Sequence, residues 1–134
     1  MTSATISLDE FPDSVWRDQA RHVPGNGKPN SVLPSESADA KILSFYDDDG
    51  CLRGILKYFE KDVPRIDQHG NYLVANAGET LVMVHPDYRK RGVATKLLHR
   101  AMELYPINLA KQRYTPSGAA FVTEFLANRA KELT

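Results

Sequence analysis

The period of the apolar positions changes several times along the chain, and each change marks an element. Ala4 to Leu8 predicts a short strand, after which Phe11, Val15, Trp16, Ala20 and Val23 recur at helical spacing until Pro24 ends the run. From Pro24 to Ser37 only Val32 and Leu33 are apolar among Pro, Gly, Asn and Ser, which predicts a long loop with one helical turn. Lys41–Tyr46 and Leu52–Phe59 are aliphatic and aromatic, and Asp47-Asp48-Asp49-Gly50 between them predicts a solvated tight turn of a hairpin. A second turn at Gln68-His69-Gly70-Asn71 leads into Tyr72–Ala75 and then into Thr80–Val84, the most apolar strand of the chain. From Gly92 to Tyr105, Val93, Leu97, Ala101 and Leu104 make one face, flanked by Ala94 and Leu98, while Lys96, His99, Arg100 and Glu103 make the other. Pro106 stops this helix and Ile107–Ala110 predicts a short strand. Thr115-Pro116 then supplies a cap and first-turn proline for a last helix carrying Phe121, Val122, Phe125, Leu126 and Ala130.

The 134 residues form no internal repeat and predict a single domain spanning 1–134, long enough for one core. A formal net charge of zero gives no global basic field, so nucleic acid is not the expected partner. Cys51 is the single cysteine, and Met1–Glu10 lacks the order of a secretory signal, which together predict a reducing, cytoplasmic setting. No apolar run approaches the ~20 residues needed to cross a bilayer. The aspartate triplet lacks the downstream ligands of a calcium loop, so no metal is expected. Gly25-Asn26-Gly27-Lys28 lacks the earlier glycine and the following Ser or Thr of a nucleotide loop, and reads as plain loop.

Chemistry concentrates in the run from Leu81 to Leu98: a buried strand, a proline turn, a basic glycine-containing loop and a helix. The first N–H groups of a helix have no intrahelical partner and lie at the positive end of its dipole, so an anion placed there gains hydrogen bonds and field together. Gly92 admits a bulky diphosphate to the backbone, Ala94 keeps the approach open, and Arg89, Lys90 and Arg91 add positive charge. Phosphate binding follows from the residues alone; the kind of phosphate does not.

This segment resembles the coenzyme A-binding motif of the GCN5-related N-acetyltransferase (GNAT) superfamily: Arg or Gln, two residues, Gly, one residue, then Gly or Ala, at a strand-to-helix junction. Arg89, Gly92 and Ala94 fill the three fixed positions. The resemblance implies a mixed α/β (α+β) acyl-CoA N-acyltransferase fold, a twisted, mostly antiparallel central sheet with helices on both faces. It implies acetyl-CoA as cofactor, with its pantetheine arm along the backbone of Val82, Met83 and Val84 and its pyrophosphate at Arg89, Lys90, Arg91, Gly92, Val93, Ala94 and Thr95. An amine of a small-molecule or protein acceptor would attack the thioester directly, with an N–H near Val84 stabilising the oxyanion. Glu79 and His85 are the candidates for taking the amine's proton.

The sequence departs from the family where a tyrosine on the last helix commonly protonates the thiolate. That position falls near Phe121 or Val122, and Tyr114 just before the helix is the substitute candidate. The chain also stops after this helix where many relatives add two strands. Short forms with a Thr-Pro-x-Gly entry, here Thr115-Pro116-Ser117-Gly118, resemble phage members, and a homodimer is compatible with the family. The alternatives are a catalytically idle relative that binds the cofactor or a partner protein, and a nucleic-acid module using the basic turn.

Overall fold

The structure, a computed structural model, describes residues 16, 20–66, 70, 72–89, 91–112, 114 and 116–132. The expected strand Ala4–Leu8 and the Gln68, His69 and Asn71 positions of the second turn lie outside these residues. Of the expected first helix, Trp16 and residues 20–23 are described: Trp16 and Ala20 are helical, whereas Arg21, His22 and Val23 form a turn and bend.

The described residues form six strands: β1 (Ser31–Glu36), β2 (Lys41–Tyr46), β3 (Leu52–Tyr58), β4 (Val63–Ile66), β5 (Tyr72–Ala75) and β6 (Thr80–Val84). β1, β2, β3 and β6 form one antiparallel sheet in that order, while β4 and β5 form a separate two-stranded ribbon. Side chains alternate across the sheet with period two. Leu43, Phe45, Leu56, Tyr58, Val82 and Val84 enter a core on one face. Ile42, Tyr46, Ile55, Leu81 and Met83 enter a second core on the other, with Trp16 and the ribbon residues Val63 and Ala75. Burial on both faces explains why the central strands read as nearly continuous apolar runs.

The first core is closed by α1 (Val93–Leu104) and α2 (Pro116–Glu132). α1 buries Val93, Ala94, Leu97, Leu98 and Ala101 as its periodicity requires. It seats directly over β3 because Gly54 has no side chain: a Cβ there would stand 2.6 Å from Val93 Cγ1 and 3.0 Å from Leu97 Cδ1. α2 contributes Val122 and Phe125 to the core, whereas Leu126 and Ala130 of its expected apolar face are exposed.

Four expectations need correction. Ser31–Glu36 is a strand in six-residue register with β2, not loop; among the described strands it pairs with β2 alone, and four of its six residues are exposed, so Pro and Ser suit it. Val63–Ile66 was not anticipated as the partner of β5, Pro64 having masked it. Ile107–Ala110 is no strand. There the Asn108 side chain accepts from the Ala110 N–H at 3.0 Å and nucleates a 3-10 turn at Leu109–Lys111. The Asp47–Gly50 turn is present with Gly50 at φ 78°, but Asp47 is buried, not solvated.

Candidate cofactor site at the β6–α1 junction

β6 ends at Val84, and the His85 N–H donates to the Arg53 carbonyl at 2.8 Å, the last rung of the ladder with β3. Pro86–Tyr88 then makes a 3-10 turn whose Asp87 N–H donates to His85 Nδ1 at 3.1 Å. Arg89 is extended, and Gly92 takes the left-handed conformation, φ 81° and ψ 8°, immediately before α1. Glycine adopts that conformation without the cost a Cβ imposes. No side chain caps the start of α1, and a Cβ built at Gly92 would meet no heavy atom within 4 Å. The helix N-terminus therefore opens onto space.

That space is a cleft of about 790 Å³ between the β6–α1 junction and α2, within the size range of small-molecule sites. One wall carries Val84, Tyr88, Arg89 and the run Gly92–Thr95, with His99 further along α1. The other is α2, where Phe121 and Phe125 supply apolar surface and Glu124, Asn128, Lys131 and Glu132 the polar groups. His99 packs edge-on to Phe125, ring centroids 4.9 Å apart, and joins the two walls.

The outer edge of β6 adjoins this cleft. The Phe59 N–H donates to the Glu79 carbonyl at 2.9 Å and His85 donates to Arg53, so residues 79, 81, 83 and 85 direct their backbone groups toward β3. Thr80, Val82 and Val84 consequently direct theirs the other way, where no described strand of this sheet lies. The Thr80 N–H, bound at 2.9 Å by Gln112 Oε1, shows the direction.

The structure thus brings Val84, Arg89, Gly92, Val93, Ala94 and Thr95 of the expected cofactor residues together at one cleft. Val82 is buried in the first core and offers only its backbone edge, and Met83 faces the second core. Arg91 is exposed, its guanidinium 5.1 Å from the Tyr88 ring centroid. Lys90 lies outside the described residues.

None of the three expected catalytic residues lines the cleft, although His85 adjoins two residues that do, Val84 and Tyr88. Glu79 is buried at the opposite end of β6, its carboxylate accepting from the Asn76 N–H at 2.6 Å. His85 makes edge contacts with the Trp16 and Tyr88 rings. Because its Nδ1 accepts a hydrogen bond, the neutral ring carries its proton on Nε2. The Tyr114 hydroxyl donates to the Leu109 carbonyl, and burial raises its pKa above the ordinary tyrosine value.

Residues 34–112 match the family model for the acetyltransferase (GNAT) domain, more than half of the chain. The chain belongs to the GNAT family. Its mostly antiparallel sheet and packed helices are consistent with that fold, whose domains carry out acyl transfer. No curated protein and no solved structure is significantly similar to the chain. Among the described residues no helix is long and apolar enough to cross a membrane. The matched GNAT segment contains the whole β6–α1 wall and ends before α2.

Sequence reasoning missed the α2 wall and His99. Phe121 and Phe125 read as core on spacing alone, whereas Phe121 is only partly buried and both border the cleft. It also missed a polar cluster behind the turn. Asp47 Oδ2 accepts from Arg53 Nε at 2.8 Å, and Asp47 Oδ1 accepts from the N–H groups of Asp49 and Cys51 at 2.9 and 3.0 Å. The Arg53 guanidinium and then the Cys51 N–H hold the Asp47 carboxyl well below the usual carboxylate range. Asp47 in turn raises the pKa of Arg53.

Proposed function

We propose that this GNAT domain is an N-acetyltransferase that moves the acetyl group of acetyl-CoA to a primary amine of a small-molecule or protein acceptor. The observation that carries the reading is the left-handed Gly92 at an uncapped helix start, opening onto a cleft that Arg89 and the end of β6 also line. These residues fit a diphosphate carried on an extended arm. The N–H groups beginning α1 and the Arg89 guanidinium supply donors and positive charge, and the outer edge of β6 supplies backbone groups for an added strand. Acetyl-CoA, when bound, provides the activated thioester.

The chain's own contribution is placement. The N–H groups of Val93, Ala94 and Thr95 hold one end of the ligand, the β6 edge aligns its length, and Phe121 with Phe125 exclude water from one side. A lysine-like acceptor with pKa ~10.4 is neutral about once in 2,500 at pH 7, equivalent to roughly 4.6 kcal/mol, so the proton must leave early. His85, which adjoins cleft-lining Val84, is the proposed proton acceptor of the two candidates; taking a proton at Nδ1 requires it to release the Asp87 N–H. A cytoplasmic setting belongs to the same proposal.

A second reading, a relative that binds the cofactor without turnover, is favoured by the engagement of Glu79 and Tyr114 away from the cleft. Thiol release from acetyl-CoA across a panel of polyamines, amino acids, aminoglycosides and lysine peptides separates the two. Amine-dependent release that falls at least tenfold in His85→Gln supports the transferase with His85 as base. Cofactor binding with no release on any amine supports the idle relative.

A further inference from the structure

The turn that meets the cofactor is not held by its own residues alone. Its Tyr88 ring receives two guanidinium groups: Arg53 from β3, 4.4 Å from the centroid, and Arg91 from the far side of the turn, 5.1 Å away. Two like charges sharing one ring repel unless one is neutralised. Asp47 does this for Arg53 from a buried position, its other oxygen tied to the backbone of its own hairpin turn. Arg53 grips the junction a second time through its carbonyl, which accepts from the His85 N–H. An ion pair of the β2–β3 hairpin, its carboxylate buried and its guanidinium half-buried, is therefore stacked against the segment that leads into Gly92.

We propose that Asp47 and Arg53 are positioning residues for the cofactor site: the ion pair fixes the Tyr88 ring, and the ring sets the course of the chain through Arg89 and Arg91 to the start of α1. The proposal rests on the reading of that turn as the cofactor's diphosphate site. Neither Asp47 nor Arg53 lines the cleft, so each acts through Tyr88, which does. The planar guanidinium is the part that matters, because it stacks on the ring while its Nε reaches the carboxylate, a geometry an ammonium cannot reproduce.

The test compares the full chain with Asp47→Asn/Arg53→Met, which removes both charges and leaves none buried alone, and with Arg53→Lys, which keeps the charge and loses the stack. Acetyl-CoA affinity is measured by calorimetry on protein shown by circular dichroism to be folded, and kcat and KM for acetyl-CoA are measured with any accepting amine. The double variant is expected to bind acetyl-CoA about tenfold more weakly, with KM rising alike and kcat at saturation falling less than about threefold; Arg53→Lys is expected to fall between it and the parent. A merely structural pair would lower the melting temperature and leave the affinity of the folded protein unchanged. If the double variant does not fold, Arg53→Lys alone decides. Affinity within twofold of the parent in every folded variant overturns the inference and leaves the cofactor reading standing. A parent protein that binds no acetyl-CoA overturns both.

Discussion

Asp47 shows how much a single position can carry that its sequence neighbourhood conceals. Three consecutive aspartates before a glycine look like solvent-facing turn, and Asp48 and Asp49 are exposed, yet Asp47 is 4% exposed and ion-paired. Its partner lies six residues on, and the ring beneath that partner belongs to another element, so no local pattern could reveal the cluster. A folded-state pKa held below the ordinary value means that the pair's stabilisation is complete above the usual carboxylate range, about pH 4, and is lost as pH falls through the lower folded value. Asp47→Asn is therefore expected to melt below the parent at neutral pH, with the gap between the two curves narrowing steadily as pH falls below about 4. Parallel curves would show that the carboxylate is not held in this way. The turn at Arg89, Gly92 and Ala94 was legible because a buried strand that passes through a left-handed residue into a helix favours glycine there and a small residue just inside the helix. Tyr114 is a residue whose type invited a catalytic role that its hydrogen bond does not favour. Tyr114→Phe is expected to cost about 1 kcal/mol of stability and to change kcat less than threefold. A hundredfold loss of kcat at unchanged melting temperature would restore it as a proton donor.

Elements were legible where one face is buried and regular. β2, β3, β6 and α1 each bury a mostly apolar set, and their bounds fall within a residue or two of the pattern. β1 was illegible because an exposed edge strand has no burial to impose a period, and its pairing with β2 is a tertiary fact. Ile107–Ala110 has strand-like composition, but Asn108 bends its own backbone and Pro106 precedes it. The seating of α1 on β3 depends on Gly54. Gly54→Ala should force α1 outward, costing about 1–3 kcal/mol and lowering the melting temperature by several degrees. An unchanged melting temperature would mean that α1 does not pack as closely as described.

Across the whole molecule, the sheet separates two cores, and the cofactor cleft opens at the margin of the first, where β6 ends and α1 begins. The family-matched segment supplies the glycine turn and the β6 edge, while α2 lies beyond it and brings Glu124 and Glu132 to a cleft that also holds Arg89 and Lys131. The wall legible in the sequence is the one proposed to meet a diphosphate, since such a group would impose the same demand for a glycine turn and open N–H groups on any chain. The other wall is shaped by this chain's own helix, whose face toward the cleft could be assigned only after its packing was known.

The most direct measurement is the melting temperature of the protein with and without acetyl-CoA, made in parallel on Gly92→Asp. Aspartate tolerates the left-handed region better than most residues and is favoured before a helix, so the variant should fold while its carboxylate repels the diphosphate. At about 100 times the dissociation constant the cofactor should add roughly 2.7 kcal/mol to the parent and raise its melting temperature by several degrees. The rise is expected in the parent and is expected to be lost in Gly92→Asp. No rise in the folded parent, or an equal rise in both proteins, would contradict the placement of acetyl-CoA at the start of α1.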